Sequence, residues 1–139
     1  NILTVNAYVA STGLIVPMEA EVLSLVGVTQ LQETIETVRA TFNPNLKVLG
    51  ILINKFNGRL TLSKDILEMA QVVAEQLDSQ VFRTKVRRSV SVAMAPAHGQ
   101  SVLTYQPGSK ASADLRKIVD AVAGPAFPAP RSVSRGKWF

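Results

Sequence analysis

Val48-Leu49-Gly50-Ile51-Leu52-Ile53 decides the fold. Six residues without a charge or a hydroxyl, apolar at odd and even positions alike, predict a strand buried on both faces. A parallel sheet covered by helices needs such a strand. The text before it fits. Leu31, Ile35, Val38 and Phe42 are spaced 4, 3 and 4 apart, while Glu33, Glu36 and Arg39 fall off that stripe, which predicts an amphipathic helix. Asn43-Pro44-Asn45 ends it, because a residue before proline avoids the α region. Further upstream, Gly13-Leu14-Ile15-Val16 closed by Pro17 reads as a short buried strand.

Downstream, Phe56-Asn57-Gly58-Arg59 reads as a loop. Ser63 is the expected N-cap of a helix with Asp65 in its first turn and Leu62, Ile66, Met69, Ala70, Val73 and Leu77 along one stripe. Gln80 to Val86 reads as a third strand. Residues 89–108 are broken by Pro96, Gly99, Pro107 and Gly108, so short elements and loops are expected there. Ser109 caps a last helix with Ala111, Leu115, Ile118 and Val122 on one face and Gly124 at its end. Strand–helix repeated three times predicts an α/β fold, a parallel sheet flanked by helices with right-handed crossovers.

A length of 139 residues sets one domain as the default and allows a core without staples. The absence of cysteine excludes a disulfide scaffold, a thiolate metal site and a cysteine nucleophile. A single histidine, His98, argues against a histidine-built metal site or a Ser-His-Asp triad. No apolar run approaches the ~18 residues of a membrane span, and no signal peptide is visible. A cytoplasmic protein is expected. The first residue is Asn1 and the chain enters directly into apolar text, so a piece from the interior of a longer protein is also expected.

The net charge of +5 is unevenly spread. Residues 1–78 carry eight acids and five bases, a net −3, and residues 79–139 carry two acids and ten bases, a net +8. Between Asp78 and Asp114 there is no acid. Such asymmetry points to one face meeting a polyanion, and a soluble domain with a lopsided surface accounts for it equally well. Arg83, Lys85, Arg87 and Arg88 put four bases within six residues. No aromatic residue interleaves them, so phosphate contact is favoured over base stacking. The segment after Gly124, with three further prolines and no acid, is expected to be a flexible basic arm or an untethered terminus.

No G-x-x-x-x-G-K-[ST] and no G-x-G-x-x-G occurs in the sequence. Glu19 and Glu21 follow a strand end, where ligands gather in α/β sheets, and they could serve a water or a metal or simply be solvated. His98 reads as a loop residue.

The order and punctuation of these elements resemble the C-terminal half of the ParA family of partition ATPases, among the deviant Walker P-loop NTPases with MinD. Leu3-Thr4-Val5-Asn6-Ala7 resembles the family's L-T-x-N-A. Ile15-Val16-Pro17 followed by Glu21, Leu25 and Gly27 resembles its next strand and loop. Thr34-Ile35, Val38-Arg39, Asn43-Pro44, Gly50-Ile51-Leu52 and Arg59 continue the pattern. Arg88-x-Val90, Ala95-Pro96, His98-Gly99, Tyr105-x-Pro107 and Ser109-Lys110 complete it.

The resemblance covers residues 2 to 123 and implies a partial P-loop NTPase fold whose phosphate-binding segment would precede Asn1. Residues 1–123 would be the later part of a ParA-like ATPase domain and residues 124–139 a basic, proline-rich tail. The implied activity is an ATPase that dimerises with ATP and Mg2+, binds DNA without sequence preference, answers to a ParB-like partner, and positions plasmid, chromosome or other cargo at the nucleoid, with no membrane involved. The chain alone is expected to be inactive and to hold no cofactor tightly. Asn54, Lys55, Val86 and Arg87 would approach the adenine. Arg59, Lys85, Arg87 and Arg88 would meet DNA, and Glu21 would lie near the nucleotide and dimer interface. Departures are Arg87 where the family often has Pro, Ser91 where a DNA-contacting Arg often lies, Met94 for a usual Glu, and Val26 for a Glu. The alternatives are a MinD-like membrane-associated ATPase, which Pro125, Pro128 and Pro130 disfavour by breaking a terminal helix, and a non-catalytic DNA-binding or interaction module.

Overall fold

A computed structural model describes residues 2–19, 21–58 and 62–123, apart from the side chains of Val22, Leu23, Leu25, Thr29 and residues 62–64. The elements run α1 (Ile2–Ala10), β1 (Gly13–Glu19), α2 (Val22–Thr41), β2 (Lys47–Asn54), α3 (Leu62–Gln76), α4 (Val90–Met94), a 3-10 turn (Ala95–His98), α5 (Val102–Tyr105) and α6 (Lys110–Ala123). The class is α/β, with helices flanking a parallel sheet.

β1 and β2 pair in parallel from Gly13 opposite Lys47 to Glu19 opposite Asn54, with one irregularity after Leu14. Val16, Met18, Val48, Ile51 and Ile53 turn into the core, where Val28, Ile35 and Val38 of α2 and Ile66, Ala70 and Ala74 of α3 meet them. Gly50 is required by contact: a Cβ there would stand 2.6 Å from the ring of Phe82. Pro17 does not close β1 but lies inside it. Among the described residues β1 is bonded on one side only, and a residue without an N–H is tolerated on such an edge.

The third strand expected over 80–86 is present only as isolated parallel bridging, Val81 with Ile51 of β2, followed by Arg87 with Phe56 just past the end of β2. Phe82 donates its N–H to the Ile51 carbonyl at 2.9 Å, and Val86 donates to the Ile53 carbonyl at 2.9 Å. The segment therefore advances four residues while β2 advances two, and residues 83–85 loop out.

One element lies where none was assigned, and two further expectations are corrected. The opening apolar text forms helix α1, whose terminal carbonyls of Tyr8 and Val9, with that of Ser11 just beyond the helix, accept from Asn43 Nδ2 at 2.8 to 3.2 Å. Phe42 falls beyond the end of α2 and is exposed rather than on the buried stripe. Ser63 lies within the first turn of α3, not before it. Ser109 does cap α6, accepting the Ser112 N–H on Oγ at 3.1 Å. Gly124 and the tail lie outside the described residues.

Candidate polyanion site

The carboxyl ends of β1 and β2 bring Glu19 and Asn54 into register. Lys55 follows in the left-handed region at φ 49°, a conformation unusual for a non-glycine residue. It carries its ammonium back onto Glu19, Nζ to Oε1 2.5 Å. Glu19 is thereby paired with Lys55. Glu21 is exposed at the entry to α2, and its backbone N–H donates to the Glu19 carbonyl at 2.8 Å.

Beyond Lys55, the chain weaves with the segment that follows residue 80. Phe56 donates its N–H to the Val86 carbonyl at 2.9 Å, and Arg88 donates to the Phe56 carbonyl at 3.3 Å. These two bonds bring the loop after β2 against the run of bases. Phe56, Asn57, Gly58, Lys85, Arg87 and Arg88 line one surface hollow of about 660 Å³. Lys85 stands over the Phe56 ring, with Nζ 5.8 Å from its centroid, and donates to the Arg83 carbonyl at 3.3 Å. Arg88 is exposed and Val86 is buried.

Arg87 is engaged more fully. Its Nε donates to Asp114 Oδ2 at 2.6 Å, its Nη2 to Oδ1 at 2.9 Å, and its backbone N–H to Oδ2 at 3.4 Å. Asp114 comes from α6, with only 7% of its side chain exposed against 47% for Arg87. The guanidinium's hydrogen bonds hold the Asp114 carboxyl below its ordinary range. The Arg87 N–H and the charges of Arg87 and Lys117 act in the same direction, and burial opposes them. A planar fork on a carboxylate is geometrically specific as well as strong.

Of the residues singled out from sequence, Lys85, Arg87 and Arg88 are thus brought into one hollow, while Val86 is buried and does not line it. Asn54, partly buried, and Lys55 sit at the adjoining strand end. Arg59 lies outside the described residues. Sequence reading missed Asn57, Gly58 and Asp114. Asp114 carried a signal: it interrupts the apolar stripe of the last helix, three residues after Ala111 and four before Ile118, with no other acid between Asp78 and Asp120.

Among the described residues no group of three or more His, Asp or Glu side chains could hold a metal ion. The side chains present suit a base edge, at Asn54, and anionic oxygens, at Lys85 and Arg88. They do not supply a magnesium–triphosphate cradle. No helix of the described residues is long and apolar enough to cross a membrane.

A parallel α/β domain with a cationic hollow beside its strand ends belongs among the nucleotide-binding α/β proteins. The family described as the CobQ/CobB/MinD/ParA nucleotide binding domain matches residues 4–102, and the chain belongs to it. Within that family it is a ParA-type protein. It is 38% identical over 120 residues to the chromosome-partitioning ATPase Soj of Thermus thermophilus, covering 86% of this chain and 47% of that protein. It is 36% identical over 122 residues to the chromosome partitioning protein ParA of Caulobacter vibrioides, covering 86% and 45%. Cobyrinic acid a,c-diamide synthase from Mycobacterium smegmatis, solved with bound ADP and magnesium, superposes with a TM-score of 0.67 at 29% identity, over 88% of this chain and 42% of that one. The chain spans a little under half the length of these relatives.

Proposed function

We propose that this chain is the DNA-contacting later part, residues 1–123, of a ParA-type ATPase, followed by a basic tail over 124–139. The observation that carries this reading is the convergence of Lys85, Arg87 and Arg88 with the loop after β2 in one hollow. Ammonium and guanidinium groups on a surface recognise phosphate oxygens, which every sequence presents alike, so contact there is indifferent to base order. Phe56 lies under Lys85 as a cation–π platform and is not set out as a base-stacking strip.

ATP and magnesium are the cofactors of the whole protein in this reading, and they would drive the homodimer that binds DNA. Asn54, with a donating NH2 and an accepting oxygen on its amide, is the residue suited to an adenine edge, and Lys55, Val86 and Arg87 adjoin it. Glu21 faces the same end of the sheet, near the dimer interface. A ParB-like protein stimulates release, and the cycle positions cargo on the nucleoid in the cytoplasm. Arg59 and Ser91 bear on the strength of the DNA contact. Ser91 bonds Gln106 rather than offering a cation.

The test is a mobility-shift assay with the protein as its gene encodes it, with and without ATP, on unrelated duplexes across a salt series. Binding that requires ATP and falls with salt is expected. The slope of log K against log salt would be about −0.9 for each neutralised phosphate, about −3.6 with Arg59, Lys85, Arg87 and Arg88 all in contact and about −2.7 with Arg87 held on Asp114. Arg88→Ala weakens binding to all sequences alike and makes the slope shallower by about 0.9. Binding that ignores both ATP and salt would sink the reading.

A further inference from the structure

The loop-out at residues 83–85 leaves the pairing of the next residues undetermined by the sheet alone. Between the Phe82 and Val86 bonds to β2 there are two more residues on one side than on the other. Sliding the segment by two would absorb them. Because side chains alternate with a period of two, such a slide keeps every residue on its own face, so the inside–outside pattern does not forbid it. It would bring Thr84 to the place of Val86 and Lys85 to the place of Arg87.

Two features separate the observed register from that competitor. Val86 is buried, where Thr84 would have to bury a hydroxyl. Arg87 meets Asp114 through two guanidinium donors in a fixed fork, beside a backbone N–H that any residue would supply, where Lys85 would offer a single flexible ammonium. Asp114 is itself fixed. Two residues earlier on α6, Ser112 is fully buried and donates from Oγ to the carbonyls of Gln106 at 2.7 Å and Val102 at 3.1 Å. The carboxylate therefore reaches the segment from a helix anchored elsewhere.

We propose that Asp114 is a positioning residue that locks the register of residues 86–88 and thereby sets Lys85 and Arg88 around the hollow, while Arg87 serves the lock more than the ligand. The consequence for DNA contact rests on the reading of the hollow given above.

Hydrogen exchange on the protein as encoded reads the lock directly. The amides of Phe56, Val86 and Arg88, which make the bonds after the loop-out, are followed in wild type, Asp114→Asn, Asp114→Glu and Arg87→Lys. Asp114→Asn is expected to speed their exchange on the order of tenfold while the amides of β1 and α2 stay unchanged. Asp114→Glu restores part of the protection, and Arg87→Lys loses nearly as much as Asp114→Asn. Should Asp114→Asn fail to fold, Arg87→Lys decides, since it keeps the charge and removes only the fork. Unchanged protection in a folded Asp114→Asn or Arg87→Lys overturns the proposal, whatever DNA does.

DNA binding is then measured on the same variants. Asp114→Asn weakens it on the order of tenfold if the lock positions the cations. Tighter binding, with a slope steeper by about 0.9, would mean that Asp114 merely withholds Arg87 from phosphate and would overturn the positioning role. A wild type that binds no DNA, with exchange behaving as expected, sinks the functional reading and leaves the lock standing.

Discussion

Residues 13–77 and residues 80–118 are held by different forces. In the first region β1, β2, α2 and α3 share one apolar core, with Ile35, Ile51, Ile53, Ala70 and Ala74 wholly removed from solvent. In the second, apart from α6, the elements are short, and beyond Phe82 and Val86, which pack where the segment meets β2, the buried side chains are small, polar or scattered: Ala95, Val102, Ala111, Ser112, Asp114 and Ile118. Directional contacts do the holding there. They are the fork of Arg87 on Asp114, the two bonds of Ser112, the Ser101 hydroxyl on the Leu103 N–H at 3.2 Å, and the stacked rings of His98 and Tyr105 at 4.8 Å. A segment that presents cations to solvent cannot also bury them, so it exchanges bulk burial for hydrogen bonds that fix position.

The largest expected effect lies in the first region. Ile51→Ala empties the middle of β2 and costs about 2–5 kcal/mol, read as a lower urea midpoint with an unchanged slope. A loss below about 1 kcal/mol would mean that the cores on the two sides of β2 do not depend on one another, and the comparison would break.

The next effect lies in the second region and depends on pH. The Asp114 carboxyl is lowered in the folded chain, chiefly by the hydrogen bonds of Arg87. A group with a depressed native pKa stabilises the fold above its unfolded value, about 3.9 for an aspartate. That stabilisation is lost as pH falls through the native value. Urea midpoints measured from about pH 5 down to about pH 2 should therefore fall more steeply for wild type than for Asp114→Asn. Parallel curves would show that the fork contributes nothing to folding.

The same division governs what the sequence disclosed. Where burial decides, most of the pattern was legible: the apolar run of β2 and the stripes of α2 and α3 follow from residue spacing, though Leu49, Phe42 and Met69, assigned to those buried faces, are exposed, and the cap at Ser109 follows from residue type. Pro17 was read as a stop because its place on an edge depends on a neighbour that local text does not reveal. Helix α1 was missed because its apolar residues do not form a narrow stripe, and Asn43, which closes it, lies more than 30 residues away. At the site, the run from Lys85 to Arg88 was legible as charge. Its partner across 27 residues was not, nor was the loop-out, because a count of extra residues appears only once two strands are aligned.

The smallest effect separates the two ion pairs. Arg87–Asp114 and Lys55–Glu19 both close at short distance, 2.6 and 2.5 Å. Distance alone would rank them together. Their surroundings do not: the Lys55 and Glu19 side chains are 58% and 35% exposed, whereas Asp114 is 7% exposed and bound by a fork. An exposed lysine pair pays side-chain entropy for a contact that water and salt screen, and is worth about 0.2–1 kcal/mol at most. Lys55→Gln should therefore move the urea midpoint only slightly, and less still as salt is raised. Lys55 also occupies the left-handed region, so Lys55→Gly belongs beside it. A glycine there relieves the backbone while deleting the pair, and equal or higher stability for Lys55→Gly is expected. If Lys55→Gln instead destabilised as much as Asp114→Asn, exposure would not be what distinguishes the two strand ends, and the contrast between a packed region and a hooked one would have to be drawn elsewhere.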